Sequence, residues 1–195
     1  MKKKIGLYSI IALIILLLLF YAFVHLRSAY DINVAMSDFG ISIMGIEAFR
    51  EIDIKNDKIM AKDNGSLLII SLNKNVNVDM AQRIVNDKIA VLESQYEIRN
   101  APYPGEVTRE VVCPEEFKPV KNIIDNQHSM ANYMLYSTIS FTYGVCAKDL
   151  IAYKAFFGLF YCEKRNNLVQ IELFVPINNE KEFNESLKKI STFEC

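Results

Sequence analysis

Tryptophan is missing from this chain of 195 residues, cysteine is missing before Cys113, and neither sign of charge is in surplus. Each absence excludes something. Without Trp, a folded core has to be packed from the smaller aromatics, of which there are 12 Phe and 10 Tyr. A formal net charge of -1 provides no basic face and no acidic tail, so no nucleic-acid partner is expected. The lack of an early cysteine rules out a lipid-modified N-terminal thiol. No Gly/Ser or Pro run is long enough for an extended linker, and no internal repeat or low-complexity segment occurs. Gly-x-Ser-x-Gly, His-Glu-x-x-His, Cys-x-x-Cys and the calcium-loop spacing are all absent, and no Ser-x-x-Lys lies near His128. The chain is therefore read as non-enzymatic, with no catalytic residue, metal or cofactor expected.

What is present begins with Lys2, Lys3 and Lys4, followed by an uncharged apolar run over residues 5–24. About 20 residues at about 1.5 Å each make roughly 30 Å of helix, the thickness of a bilayer's hydrocarbon core. The lysine cluster outweighs His25 and Arg27 behind the run, which predicts a cytoplasmic N-terminus over residues 1–4. The expected organisation is a transmembrane signal-anchor in the lipid bilayer over residues 5–25, a stalk over 26–37 and one extracytoplasmic globular domain over 38–195. Such a protein is single-pass in the cell membrane. Cleavage as a signal peptide is disfavoured, because the run exceeds the usual apolar core of about 7–15 residues. The nearest cleavage triplet, Arg27-Ser28-Ala29, also places Arg where a small residue is needed.

Beyond the run the pattern turns to β. Ile41, Ile43 and Ile46 point to a short strand; Ile52 and Ile54, alternating with Glu51, Asp53 and Lys55, point to another. Asp63-Asn64-Gly65 separates two apolar segments, and Asn-Gly tolerates the positive φ angles of a type I′ turn, so a hairpin is expected. Over 78–98, Ala81, Ile84, Val85, Leu92 and Tyr96 recur at helical spacing, with Asp79 and Gln82 as a capping box and Lys88 snorkelling from the stripe. Pro102, Pro104 and Gly105 end that helix by Asn100. Residues 106–112 fit one strand, and 113–132 read as irregular.

Strands over 134–146, 150–163 and 168–175 form an antiparallel meander. The middle one is apolar on both faces, with Tyr153, Phe157, Leu159 and Tyr161 on one and Ala152, Phe156 and Phe160 on the other. Cover on both faces follows. Asn179 and Glu182 open a last helix over 180–192, whose stripe Phe183, Leu187 and Ile190 is expected to cover the meander, with Leu187 facing Phe157.

The predicted class is α+β: an N-terminal transmembrane helix, then a central antiparallel sheet packed with two helices. In element order, residues 38–193 resemble the PsbP-like α/β/α domains, with early hairpins, a helix, a meander and a C-terminal helix. That resemblance implies an assembly or binding factor acting at membranes or with a partner protein. It carries no functional residue onto this chain.

Cys113, Cys146, Cys162 and Cys195 are even in number, and in an oxidising compartment they read as two structural disulfides. A turn at Lys148-Asp149 puts Cys146 and Cys162 at opposite ends of the meander, roughly 30 Å apart and beyond disulfide reach. The last helix brings the chain back to the far end, so Cys162 is expected to pair with Cys195 and Cys113 with Cys146. A zinc site is the sharper alternative, and the spacing argues against it. His128 reads as a solvated loop histidine, and Glu115, Glu116 and Asp125 as solvated carboxylates. The cluster of Phe141, Tyr143, Tyr153, Phe156, Phe157, Phe160, Tyr161 and Phe174 reads as core in preference to a ligand pocket. Asn64 and Asn184 match the N-glycosylation acceptor pattern, the first in an expected turn and the second inside a helix.

The functional expectation is a membrane-tethered binding or assembly module whose partner is another protein. The alternative is a minor pilin-like subunit, although Gly6-Leu7-Tyr8-Ser9-Ile10 lacks the acid of that class. An extracytoplasmic enzyme comes third.

Overall fold

Ile151–Cys162 carries apolar side chains in both directions, and the rest of the molecule forms around that requirement. The computed structural model describes residues 2–46, 49, 51–96, 114–144 and 148–195. Helix α1 is Lys2–Phe39. Strands β1 (Glu51–Lys55), β2 (Lys58–Asp63) and β3 (Ser66–Asn73) precede helix α2 (Val78–Tyr96). Then come β4 (Val120–Lys121), β5 (Ser129–Thr138), β6 (Ile151–Cys162), β7 (Asn167–Pro176) and helix α3 (Glu180–Ile190).

The seven strands make one sheet in the order β1-β2-β3-β7-β6-β5-β4. Every neighbouring pair is antiparallel. Two meanders therefore share one sheet: α2 carries the chain to the β4 edge, and the second meander works back until β7 lies against β3. At the tip of the β2–β3 hairpin Asp63 pairs with Ser66. Asn64 and Gly65 take φ values of 46° and 85° there, the left-handed geometry that an Asn-Gly turn supplies.

The sheet has a core on each side. On one, Phe156, Phe160, Val169, Ile171 and Leu173 meet Phe183 and Ile190 of α3 and Ile32, Met36 and Phe39 of α1. On the other, Ala155, Phe157, Leu159, Leu168 and Phe174 meet Ala81, Val85 and Leu92 of α2. Leu187 of α3 packs against the first core and Phe157 lies in the second. The expected Leu187–Phe157 pairing is thus corrected: side chains alternate along a strand, so Phe156 and Phe160 face α3 while Phe157 faces α2. Gly158 shares the face of Phe156 and Phe160. A Cβ there would lie 2.6 Å from the Phe156 ring and 2.7 Å from the Phe160 ring. Gly158→Ala should cost about 1–3 kcal/mol by overpacking, read from urea unfolding. Unchanged stability would mean that the two rings have room to separate.

Several local expectations are also corrected. Ile41, Ile43 and Ile46 are buried, yet they belong to a connection rather than a strand. Asn77, not the Asp79/Gln82 box, caps α2: its Oδ1 accepts from the Met80 backbone N–H at 2.9 Å. The first strand of the meander is Ser129–Thr138, earlier than the expected 134–146. Phe141 has a left-handed φ of 57°, which no strand residue adopts. The expected strand over 106–112, the helix stop by Asn100, and Cys113 and Cys146 lie outside the described residues.

The largest correction concerns the membrane. Among the described residues no helix is long and apolar enough to cross a bilayer. The transmembrane helix over 5–25, the signal-anchor and single-pass description, and the cell-membrane placement with a cytoplasmic N-terminus and an extracytoplasmic domain are withdrawn on that finding. The stalk expected over 26–37 is the C-terminal part of α1, and Ile32, Ala35 and Met36 already belong to the core.

Candidate functional site

Helix α1 divides into two parts with opposite surroundings. Ile32, Ala35, Met36 and Phe39 recur at helical spacing and are buried on the sheet, which forms the seat of the helix. Further toward the N-terminus, the large side chains of Ile11–Phe23 are exposed, from 45% for Ile11 to 66% for Phe20. Leu16, Leu17, Leu18, Leu19, Phe20 and Tyr21 are consecutive and span more than one turn. The exposed apolar surface therefore runs all the way round the helix and forms an arm. A helix that is apolar on every side is stable only when apolar surface surrounds it.

The seat ends in a Schellman motif. The Ile41 N–H donates to the Met36 carbonyl at 3.0 Å and the Gly40 N–H to the Ser37 carbonyl at 2.9 Å. Gly40 has the left-handed φ of 71° that this motif requires. Arg165 lays its guanidinium on Gly40, where a Cβ would be 2.3 Å away. The left-handed φ favours glycine there, and a Cβ would push the flexible Arg165 side chain aside. The C-terminal segment then straps the connection down: Ser42 and Glu194 exchange backbone hydrogen bonds of 2.9 and 3.0 Å. The Met44 N–H donates to Thr192 Oγ1 at 2.9 Å. Asn126 Nδ2 donates to the Ser191 and Phe193 carbonyls at 3.0 and 2.8 Å. Phe193 is buried against Phe160, with ring centroids 4.5 Å apart. Cys162 and Cys195 form a disulfide with their Cα atoms 5.4 Å apart, fixing the strap to the end of β6.

A second feature lies on the α2 side of the sheet. Glu172 is half-buried in central strand β7, and Tyr143 donates its hydroxyl to Glu172 Oε2 at 2.9 Å. Gln170 Nε2 donates to the other carboxylate oxygen. The Tyr143 ring stacks on Phe174 at 5.7 Å. Burial first, and the Glu172 carboxylate second, push the Tyr143 hydroxyl well above the ordinary tyrosine range. The phenol stays protonated in the native state while an unfolded tyrosine ionises near about pH 10. Its contribution to stability is complete below that pH and is lost as pH rises above it toward the folded value. Tyr143→Phe should cost about 1–3 kcal/mol at neutral pH by leaving Glu172 short of a donor. It should also flatten the decline in stability between about pH 10 and 11, measured by urea unfolding; an unchanged alkaline slope would contradict this role.

The other residues singled out in the sequence are scattered. His128 sets its ring 6.1 Å from that of Phe193, with its Nε2 3.3 Å from Gln127 Nε2. Glu115 pairs with Lys118 at 3.4 Å and Glu116 with Lys148 at 3.1 Å, while Asp125 is exposed. Among the described residues no three His, Cys, Asp or Glu side chains converge to hold a metal ion. The aromatic cluster is split by the sheet, with Phe156 and Phe160 on one side and Phe157, Phe174 and the tyrosines on the other. Asn64 is exposed in its turn, whereas Ser66 is buried and donates its hydroxyl to Glu182; Asn184 is exposed on α3. Glu172 and Gln170 escaped notice in the sequence, although two polar residues alternating through 168–175 marked a strand with one face less apolar. The strap had no such signal, because its pairing joins residues 42 and 194. No protein-family model, curated protein or solved structure matches the chain.

Proposed function

We propose that the chain is a non-enzymatic binding or assembly module, with the α1 arm as the element that engages a protein partner. The exposed apolar arm over Ile11–Phe23 carries this reading. Polar side chains would make such a helix self-sufficient in water; this one leaves its surroundings to be supplied from outside the domain. The sheet and its two cores form a body that holds the base of the arm rigidly. Substituting Leu16, Leu17 and Phe20 together by Asp places charge around the middle of the arm. In detergent-free native extract, the unsubstituted chain should elute in a high-mass complex and the triple variant at monomer mass. The body should stay folded with an unchanged melting midpoint. A chain that elutes as monomer without the substitutions, or a variant that keeps its complex, overturns the reading.

A further inference from the structure

Four contacts from distant parts of the chain converge on the short stretch that leaves α1. Arg165 covers Gly40, Glu194 pairs with Ser42, Thr192 accepts from Met44, and Cys195 ties the strap to Cys162. Beside them opens a pocket of about 410 Å³ lined by Asn33, Ser37, Gly40, Arg165, Glu194 and Cys195. The two sulfurs differ in access: Cys162 is fully buried, while Cys195 is exposed. We infer that the Cys162–Cys195 disulfide is a redox latch on the seat of the arm, opened by a dithiol reductant that enters beside Cys195. The inference concerns the seat and stands whatever the arm binds.

The reaction follows thiol–disulfide exchange. A thiolate of the reductant attacks Cys195 Sγ, the bond to Cys162 breaks, and its electron pair stays on Cys162 Sγ, which takes up a proton. The second thiol of the reductant then displaces Cys195 and closes a disulfide within the reductant. Two electrons pass from dithiol to protein, leaving two cysteine thiols. Attack at Cys195 is favoured by exposure, since Cys162 offers no surface to a reagent.

Once open, the strap is held by the Ser42–Glu194 pair, the Asn126 amide and the Phe193 side chain. These contacts form a unit small enough to open without the sheet. The consequence is local: the strap, the connection after Gly40 and the last turns of α1 loosen together, while β6 and β7 stay paired.

Hydrogen exchange on the full-length chain, oxidised or reduced with dithiothreitol, reads this directly. In the oxidised chain, peptides over 32–46 and 191–195 should be protected along with those over 151–176. In the reduced chain the first set should exchange at least roughly 10-fold faster than the second, as a sub-global opening requires. Cys195→Ser should reproduce that split without reductant. If the two sets exchange at the same rate in the reduced chain, the disulfide only stabilises the whole domain and the inference fails. It fails equally if neither set changes.

Discussion

Phe160→Ala is expected to lower the free energy of unfolding by about 3–5 kcal/mol. Phe160 is fully buried in the longest strand of the sheet and stacks on Phe193 of the strap. On either side of it, β7 places Val169 and β5 places Ser129, so neighbouring strands hem in any collapse of the cavity. Truncation therefore removes apolar contact without allowing relaxation, the condition under which core substitutions are most costly. Urea unfolding at constant slope measures the loss, and a value under about 1 kcal/mol would place Phe160 at an edge. Double variants separate the two faces. Phe160→Ala with Phe193→Ala should be non-additive, because the rings touch. Phe157→Ala with Leu187→Ala should add within about 0.5 kcal/mol, because the sheet lies between them.

The second large effect belongs to the disulfide. Cys162 and Cys195 close a separation of 33 residues. The chain-entropy model gives about 3–4 kcal/mol for a loop of that size. Replacing both by Ala should lower the free energy of unfolding in urea by that amount while keeping far-UV circular dichroism unchanged, since both cores remain. A loss below about 1 kcal/mol would show that the strap is held as well in the unfolded ensemble as in the native one.

How legible this was from the sequence depended on range. The β2–β3 hairpin was readable because Asn64-Gly65 states its own turn geometry. Strand β6 was readable because apolar residues on both faces demand two covered sides. Helix α3 was readable from Phe183, Leu187 and Ile190, while its partner was misassigned by one step of the strand's alternation. Beginning the meander at 134 instead of 129 reflects the polar residues Ser129, Asn132 and Ser137, which sit in a strand for tertiary reasons. Asn132 spends its side chain bridging Ile124 N and O at 3.1 Å each, which no local pattern announces. The seat of α1 was hidden by the strength of the apolar run before it: Ile32, Met36 and Phe39 repeat at helical spacing, yet they follow a stretch whose hydropathy dominates the reading. Glu172 was missed because a lone carboxylate in a strand is ordinarily solvent-facing, and its partner Tyr143 is 29 residues away.

The central claim is that the arm, not the body, makes the contact with a partner. A photo-reactive amino acid placed singly at Leu13, Leu17 or Phe20 of the full-length chain tests it in native cells, with the exposed residue Lys74 as a position on the body. The account predicts protein adducts of the same mass from all three arm positions, because the surface is apolar all round, and none from Lys74. Adducts from Lys74 together with silent arm positions would contradict it.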